Sequence, residues 1–399
     1  MISVSSTAQR PLLSRQDSDF LRVTASVLVV VVHCVHAWVE QFYATRQILS
    51  LGFFSTLVDQ CVRFTVPVFF FLSGYGLTCQ FLKGMPRLSD YYLNRLPKIV
   101  APFLLWSVLT SLRHIDYFLE LPWTTAPGFA IWRFSKFFFF DGFDYQYYFL
   151  IILFQFYIVF PFVYKWARKG WVLGISLAIQ LIFMTPTDAI IRLSGWELPL
   201  VSSSLLILYG FYFCAGIYIA WNPGCLNGIL RRLSGKQTLL LWLATWCLLV
   251  IEFWVNIRSG KSLPDTDHFN RWTVIAYCFS SFLLFQKNRE WILVHIHKNP
   301  HWSFLYTSMA PYAFFVYLFH TNVLRVVDFL FWEVGIWNFT TRILWVVIGS
   351  YALAWLAQWL LQDYPRLRFA LSLPKPVLKA EDLPGYPWFA ARFNRRRNS

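Results

Sequence analysis

The sequence is short of charge. Asp, Glu, Lys and Arg make up only 14% of its 399 residues, where a soluble domain carries about a quarter, so a water-soluble enzyme is excluded. Cysteine is present without a pairing pattern. Cys34, Cys61, Cys79, Cys214, Cys225, Cys247 and Cys278 show no CxxC spacing, and most stand inside apolar runs. Neither a disulfide framework nor a metal site is expected from them. No internal repeat recurs, and the two halves of the chain are unlike. The first eighteen residues are polar, carry Arg10 and Arg15, and hold neither an apolar h-region nor a small-residue cleavage site. No cleavable signal peptide is therefore expected ahead of the first apolar run.

What the chain has instead is apolar and aromatic bulk. Hydrophobic residues reach 57%, and 41 Phe, 20 Tyr and 20 Trp exclude a disordered or low-complexity chain. Apolar runs near ~20 residues exclude a barrel of alternating strands and match membrane-spanning helices. Helices are required because lipid offers backbone groups no other partner. Ten runs qualify: 19–38, 53–81, 97–115, 146–166, 170–187, 201–221, 237–256, 269–286, 310–332 and 342–362. The second is longer than a bilayer needs and holds Pro67 and the pair Gly74 and Gly76, which predicts a tilted or broken helix. The expected fold is an all-α integral membrane protein of about ten transmembrane helices. Residues 1–18 form an N-terminal tail, 19–362 the membrane domain and 363–399 a basic C-terminal tail.

Orientation follows from the cations between runs. Counted alternately, 24 Lys and Arg fall on the side shared by both termini and 7 on the other, which predicts that both termini are cytoplasmic. The net charge of +15 thus reads as topology, and nucleic acid is not an expected partner. The longest exterior loop, about 116–145, carries Trp123, Trp132 and Phe137 to Phe140 and is expected at the outer interface. The tail ending Arg395, Arg396, Arg397 suits an anionic inner leaflet, although an ordinary positive-inside anchor explains it equally.

Charged and histidine side chains inside spans are costly, so each is a functional candidate. The first run holds Asp19, Arg22, Ser26, His33 and His36. Arg22 and His33 are eleven residues apart, about three turns at ~3.6 residues per turn, and so share a face; ~1.5 Å per residue puts His33 about 16 Å deeper. His36 lies one turn beyond. In the ninth run Tyr317 and His320 form a YLFH string that brings His320 to a depth of about 15 Å. Two histidines at one depth imply a shared polar cavity, although a lone helical histidine is more often a packing residue. Asp59 and Arg63 stand at i, i+4 and are expected to satisfy each other. Ser73, Gly74, Tyr75 and Gly76 follow in the same run; a Gly-flanked serine is commonly a close-packing position. Arg95 and Lys98, with Lys83 and Arg87 near them, suit the phosphates of a nucleotide, and positive-inside topology explains the same residues without a ligand.

These strings resemble a known family. Asp19-Phe-Leu-Arg22 followed after ten residues by His33, then Val66-Pro67-Val68-Phe69-Phe70-Phe71-Leu72-Ser73-Gly74-Tyr75, resembles the opening of the acyltransferase 3 family of multispan membrane proteins. Arg95-Leu-Pro-Lys98-Ile99 ahead of Pro102 and Trp106 is similar to its basic segment, Tyr148-Phe-Leu with Tyr157 and Pro161 to its fourth span, and Tyr317-Leu-Phe-His320 to its YLxH motif. The likeness runs in the family's order over about residues 19 to 362.

The resemblance implies a ten-span enzyme that moves an acyl group, most often acetyl, from a cytoplasmic acyl-CoA donor to hydroxyls of a carbohydrate or another envelope molecule. His33 would be the catalytic histidine, with Arg22 as its motif partner and His36 and His320 beside it. Arg95 and Lys98 would contact donor phosphates; Ser73, Gly74, Tyr75, Tyr148 and Tyr317 would line the substrate sites. No bound cofactor is implied; acyl-CoA is a co-substrate, and the plasma (inner) membrane is the expected location. Two departures stand out: Lys98 where arginine is common, and Pro97 inside the pair. The residues after the last span are too few for a soluble SGNH-type domain, so a stand-alone membrane enzyme is expected. The chemistry suits a neutral imidazole, which can take a proton from a hydroxyl as it attacks a thioester or be acylated itself. A proton-coupled transporter is the competing class, against which the unlike halves and the ordered motifs stand. A polymerase or ligase of lipid-linked glycans shares the spans and long outer loop but leaves the Arg22–His33 element unexplained.

The topology is open to a direct test. A reporter fused at the C-terminus is expected to signal from the cytoplasm, and a signal from the far side of the membrane overturns the orientation.

Overall fold

The computed structural model describes residues 12–136, 144–184, 204–334 and 338–374. Among them every regular element is helical, and each of the ten apolar runs overlaps at least one helix. The principal helices are α1 Arg15–Thr45, α2 Leu51–Cys61, α3 Thr65–Lys83, α4 Leu88–Arg95, α5 Pro97–Ser111, α6 Tyr148–Val163, α7 Gly170–Met184, α8 Gly210–Trp221, α9 Gly235–Arg258, α10 Trp272–Lys298, α11 Pro300–Met309, α12 Ala313–Val334 and α13 Phe339–Leu360. Among the described residues six segments are long and apolar enough to cross a membrane: α1, α2 with α3, α4 with α5, α9, α11 with α12, and α13. With the bulk of the chain in apolar helices, this is an integral membrane protein.

Local chemistry explains the boundaries. α1 begins four residues before its apolar run because Ser14 and Asp17 form a reciprocal capping box, which satisfies two orphan amides at once. It ends at Arg46, whose left-handed conformation returns its amide to the Phe42 carbonyl. The break expected in the second run exists, but it lies at residues 62–64, before Pro67. Pro67 is then the third residue of α3, where a missing N–H costs no intrahelical bond. Gly74 and Gly76 sit in unbroken helix. α8 has only 12 residues, about 18 Å at ~1.5 Å per residue, so irregular backbone before it lies at depth. Such backbone is tolerated where protein buries it or a cavity needs it.

α1 is the hub of the bundle, packing on α2, α3, α12 and α13. The closest pair is α3 with α8, and glycine permits it from both sides. A Cβ on Gly74 would stand 2.3 Å from the Phe213 carbonyl oxygen, and one on Gly216 would stand 2.1 Å from that of Phe71. Around this contact Phe156 stacks on Phe213 at 4.3 Å between ring centroids, and Phe70 meets Phe149 at 4.8 Å. Lipid tails are as apolar as these side chains, so close backbone approach and dispersion hold the pair.

The outlying segments are only partly described. In the 116–145 loop, short helices Ile115–Leu119 and Pro127–Lys136 leave Trp123 and Trp132 exposed; Phe137 to Phe140 lie outside the described residues. The stretch expected as a C-terminal tail starts as packed structure. Helix Pro365–Ala370 sits on α5 and Leu373 joins the main core, while Arg395 to Arg397 lie outside the described residues.

The glycine contact carries a prediction. Gly74→Ala and Gly216→Ala should each abolish the monodisperse peak in detergent size exclusion, because the groups in the way are backbone. Gly76→Ala, where an added Cβ meets nothing within 4 Å, should elute as wild type. Normal elution of both forbidden variants would contradict the α3–α8 packing.

Candidate active site

Two cavities in the bundle take in residues expected from the sequence, and their linings differ. The first has a volume of about 430 Å³ and a polar lining. α1 supplies Val29, His33 and His36, which at i, i+4 and i+7 share one face. Arg63 enters from the break between α2 and α3, Gln146 and Tyr148 from the start of α6, Tyr209 from the residue before α8, Asp267 to Asn270 from a loop, and Tyr317 from α12. The short α8 matters here: its late start at Gly210 leaves Tyr209, just before it, facing the cavity.

His33 and His320 meet here, their rings stacked 5.1 Å apart and 26° from parallel. His320 is fully buried behind the cavity wall. Its Nδ1 lies 2.8 Å from the Tyr317 carbonyl and 3.1 Å from that of Val316. Carbonyls only accept, so Nδ1 carries the proton and, in the neutral ring, Nε2 presents a lone pair. That Nε2 is buried without a hydrogen-bond partner among the described residues. His36 stands 3.4 Å from Glu40 and 3.9 Å from Asp267.

Asp59 and Arg63 do pair, but Arg63 is shared. Its Nε donates to Asp59 at 3.0 Å, its Nη2 also contacts Asp267, and its Nη1 donates to the Asp267 backbone carbonyl at 3.0 Å. Gln60 donates to both carboxylates, at 2.8 Å and 2.9 Å. Arg271 donates to Gln60 at 2.5 Å and lies 3.6 Å from Glu252 of α9. Phe269 lies against the guanidinium of Arg63 at 5.0 Å. The segment 267–271 is therefore clamped over the cavity by charges buried in the bundle. Burial alone would raise the Asp267 carboxyl, but Arg63 and Arg271 outweigh it and hold it below its ordinary value of 3.8.

Sequence reasoning missed Asp267, His268, Asn270, Gln146 and Tyr209 as cavity residues. One signal was present. The loop cations that set topology leave out four arginines inside apolar runs: Arg63, Arg113, Arg271 and Arg325. All four are in ion pairs, Arg113 and Arg325 both at 2.9 Å from Asp144. Asp144 is also 3.5 Å from Gln146. Intramembrane arginines mark buried carboxylates, and tracing them would have led to both rims of the cavity.

The second cavity, of about 460 Å³, is basic. Arg22 of α1, Arg95 at the end of α4 and Lys98 at the start of α5 line it, with Ser73, Tyr157 and Tyr317. Pro97, which interrupts the Arg95–Lys98 pair in sequence, is the first residue of α5. It divides the two cations between two helices, and both still reach the cavity. Arg95 also bonds Gln80 of α3, and Arg22 lies 3.6 Å from Asp19. Ser73 donates to the Phe69 carbonyl at 2.8 Å.

Tyr317 lines both cavities, its hydroxyl donating to the Gln146 carbonyl at 2.7 Å. Arg22 and His33, on one face of α1, stand in different cavities about 16 Å apart along the helix. Gly74 and Tyr75 line neither. Gly74 makes the contact with α8, and the Tyr75 hydroxyl accepts from the Leu13 amide at 2.8 Å. Of the site residues expected from sequence, the structure thus brings together His33, His36, His320, Tyr148 and Tyr317 around one cavity and Arg22, Arg95, Lys98 and Ser73 around the other.

The clamp has a pH signature. A carboxylate held low in the folded chain stabilises it fully above pH 3.8 and loses that contribution as pH falls through the folded value. Melting temperature in detergent should therefore drop on acidification below that point. Asp267→Asn should be destabilised by ~3–5 kcal/mol at neutral pH, as for a broken buried pair, and show a flatter acid limb. Equal acid sensitivity in the variant would contradict the clamp.

The comparison with known families covers these same helices. The acyltransferase 3 family model, described as an acyltransferase domain, matches residues 15–359. No curated protein and no solved structure matches the chain. The matched stretch begins at the first residue of α1 and ends one residue before the end of α13, so it takes in both cavities. The chain belongs to the acyltransferase 3 family and is a membrane acyltransferase.

Proposed function

We propose that the protein is an O-acyltransferase. It takes an acyl group, acetyl by preference, from acyl-CoA and passes it to a hydroxyl of a carbohydrate or another envelope acceptor, at the plasma (inner) membrane. The observation that carries this reading is the pair of cavities that share Tyr317, one lined by three cations and the other by histidines and amides. With both termini cytoplasmic, the basic cavity faces the cytoplasm. Arg22, Arg95 and Lys98 hold the donor phosphates there, Arg through paired N–H donors and Lys as a point charge. The thioester end passes Tyr317 toward His33, and the acceptor enters the polar cavity beneath the segment 267–270.

In this scheme His33 takes the acceptor's proton as its oxygen bonds to the thioester carbon. The carbon–sulfur bond breaks, and the thiolate leaves with the proton returned from His33. His320 is a positioning residue: its ring, fixed by Nδ1–H donation to two backbone carbonyls, stacks on the His33 ring. The same residue serves if His33 is acylated first and the acceptor attacks afterwards.

Acyl incorporation into an envelope acceptor by matched amounts of protein tests the scheme. His33→Ala should lose ~10²- to 10⁴-fold in rate, the usual worth of a general base, with normal membrane insertion. His320→Ala should lose less and His36→Ala least. Full activity in His33→Ala would sink the mechanism. For the donor, Arg95→Glu should raise the KM for acyl-CoA well beyond that for the acceptor; equal effects on both, or none, would leave Arg95 as a topology residue only.

A further inference from the structure

A third cavity lies outside this machinery. It has a volume of about 630 Å³ and is apolar almost throughout. It separates the α9–α10 pair from the α3–α8 pair. Val68 and Phe71 of α3 and Ala215 of α8 form one wall, and Leu239 of α9 with Phe279 and Phe282 of α10 the other. Leu239 and Phe279 are exposed, so the slot is open sideways. On α10 its lining runs from Ile275 to Ile292, about 26 Å at ~1.5 Å per residue, close to the ~30 Å of a hydrocarbon core.

The two ends differ. Near Ile275 the neighbours are Phe64, Tyr212 and Trp242. Near Ile292 lie Asn288 and Trp291, with Gly235 at the start of α9. Lys236 follows Gly235, and Lys287 precedes Asn288. Lys287 donates to the Leu230 carbonyl at 2.9 Å, which brings the short helix Asn227–Arg232, with Arg231 and Arg232, to the same end. These four cations are exposed. The carboxylate among them is the exposed Glu290, while Arg289 is engaged by Asp17 at 2.6 Å. An apolar slot of bilayer length with one cationic end has the form of a lipid.

We propose that the slot binds an anionic phospholipid of the surrounding bilayer, one chain lying along α10 and the phosphate among Arg231, Arg232, Lys236 and Lys287. A dry apolar gap forfeits dispersion contacts on both walls, and in a bilayer a hydrocarbon chain is the material at hand to restore them. Guanidinium and ammonium groups favour a net-anionic head over a zwitterionic one, whose own ammonium offsets its phosphate. The donor is excluded as occupant because its cations, Arg22, Arg95 and Lys98, line the basic cavity and not this slot. Since α9 carries Glu252 and α10 follows directly on Arg271, a lipid wedged here also steadies the far side of the segment over the polar cavity.

Native mass spectrometry of the full chain, purified in detergent and mixed with equal phosphatidylglycerol and phosphatidylcholine, tests this without an activity assay. Wild type should retain a single phosphatidylglycerol, preferred on the order of tenfold. Ala215→Trp and Leu239→Trp, which fill the slot from opposite walls, should lose it while eluting as folded protein. The surface double variant Lys236→Glu/Lys287→Glu should retain lipid but lose the preference. No retained lipid in wild type, undiminished retention in whichever filling variant folds, or an unchanged preference after charge reversal would each overturn the proposal.

Discussion

The guanidinium of Arg63 is the interaction on which the rest of the arrangement depends. A full charge among apolar helices is tolerated only when it is paired and hydrogen-bonded, and Arg63 meets that demand with Asp59 on its own segment and Asp267 more than two hundred residues away. The consequence is positional. The backbone at 267–271 cannot leave without exposing three buried charged side chains to hydrocarbon, so it stays over the cavity and brings His268 and Asn270 with it. Arg63 itself stands in the break between α2 and α3.

α1 supplies the second organising element. It is long, capped at both ends and packed on four neighbours, which makes it a rigid rail. On its face Arg22 belongs to one cavity and His33 to the other, so the spacing between the two cavities is set by helix geometry and not by loops. Catalysis by proximity requires that kind of rigidity, since small misplacements of reacting groups cost large factors in rate. The stacked pair of His33 and His320 joins this rail to α12, whose Tyr317 forms the partition between the cavities.

Much of this was legible in the sequence, and the exceptions have physical causes. Hydropathy located the long apolar helices, six of them among the described residues long enough to cross a membrane, and the three-turn spacing put Arg22 and His33 on one face. The depth argument for His33 and His320 needed only helix rise. The break in the second run was visible as excess length, but it falls at 62–64, where Arg63 makes a tertiary pair with Asp267 that hydropathy does not see. Gly74 and Tyr75 read as cavity residues beside Ser73, yet adjacent helical positions point about 100° apart, and those two face α8 and the N-terminal segment. Pro97 read as a distortion of the Arg95–Lys98 pair and is the start of a helix. Asp267 and His268 fall between two apolar runs and Phe269 and Asn270 open the eighth, and nothing local distinguishes a solvated loop from one drawn into the bundle by a distant arginine.

The central claim is that donor and acceptor occupy separate cavities that meet at Tyr317. A structure of the protein bound to a non-hydrolysable acyl-CoA analogue tests it most directly. The account places the phosphates among Arg22, Arg95 and Lys98 and the carbonyl past Tyr317, within hydrogen-bond reach of a hydroxyl beside His33. An analogue seated elsewhere, or seated among those cations with its acyl end directed away from His33, would contradict it.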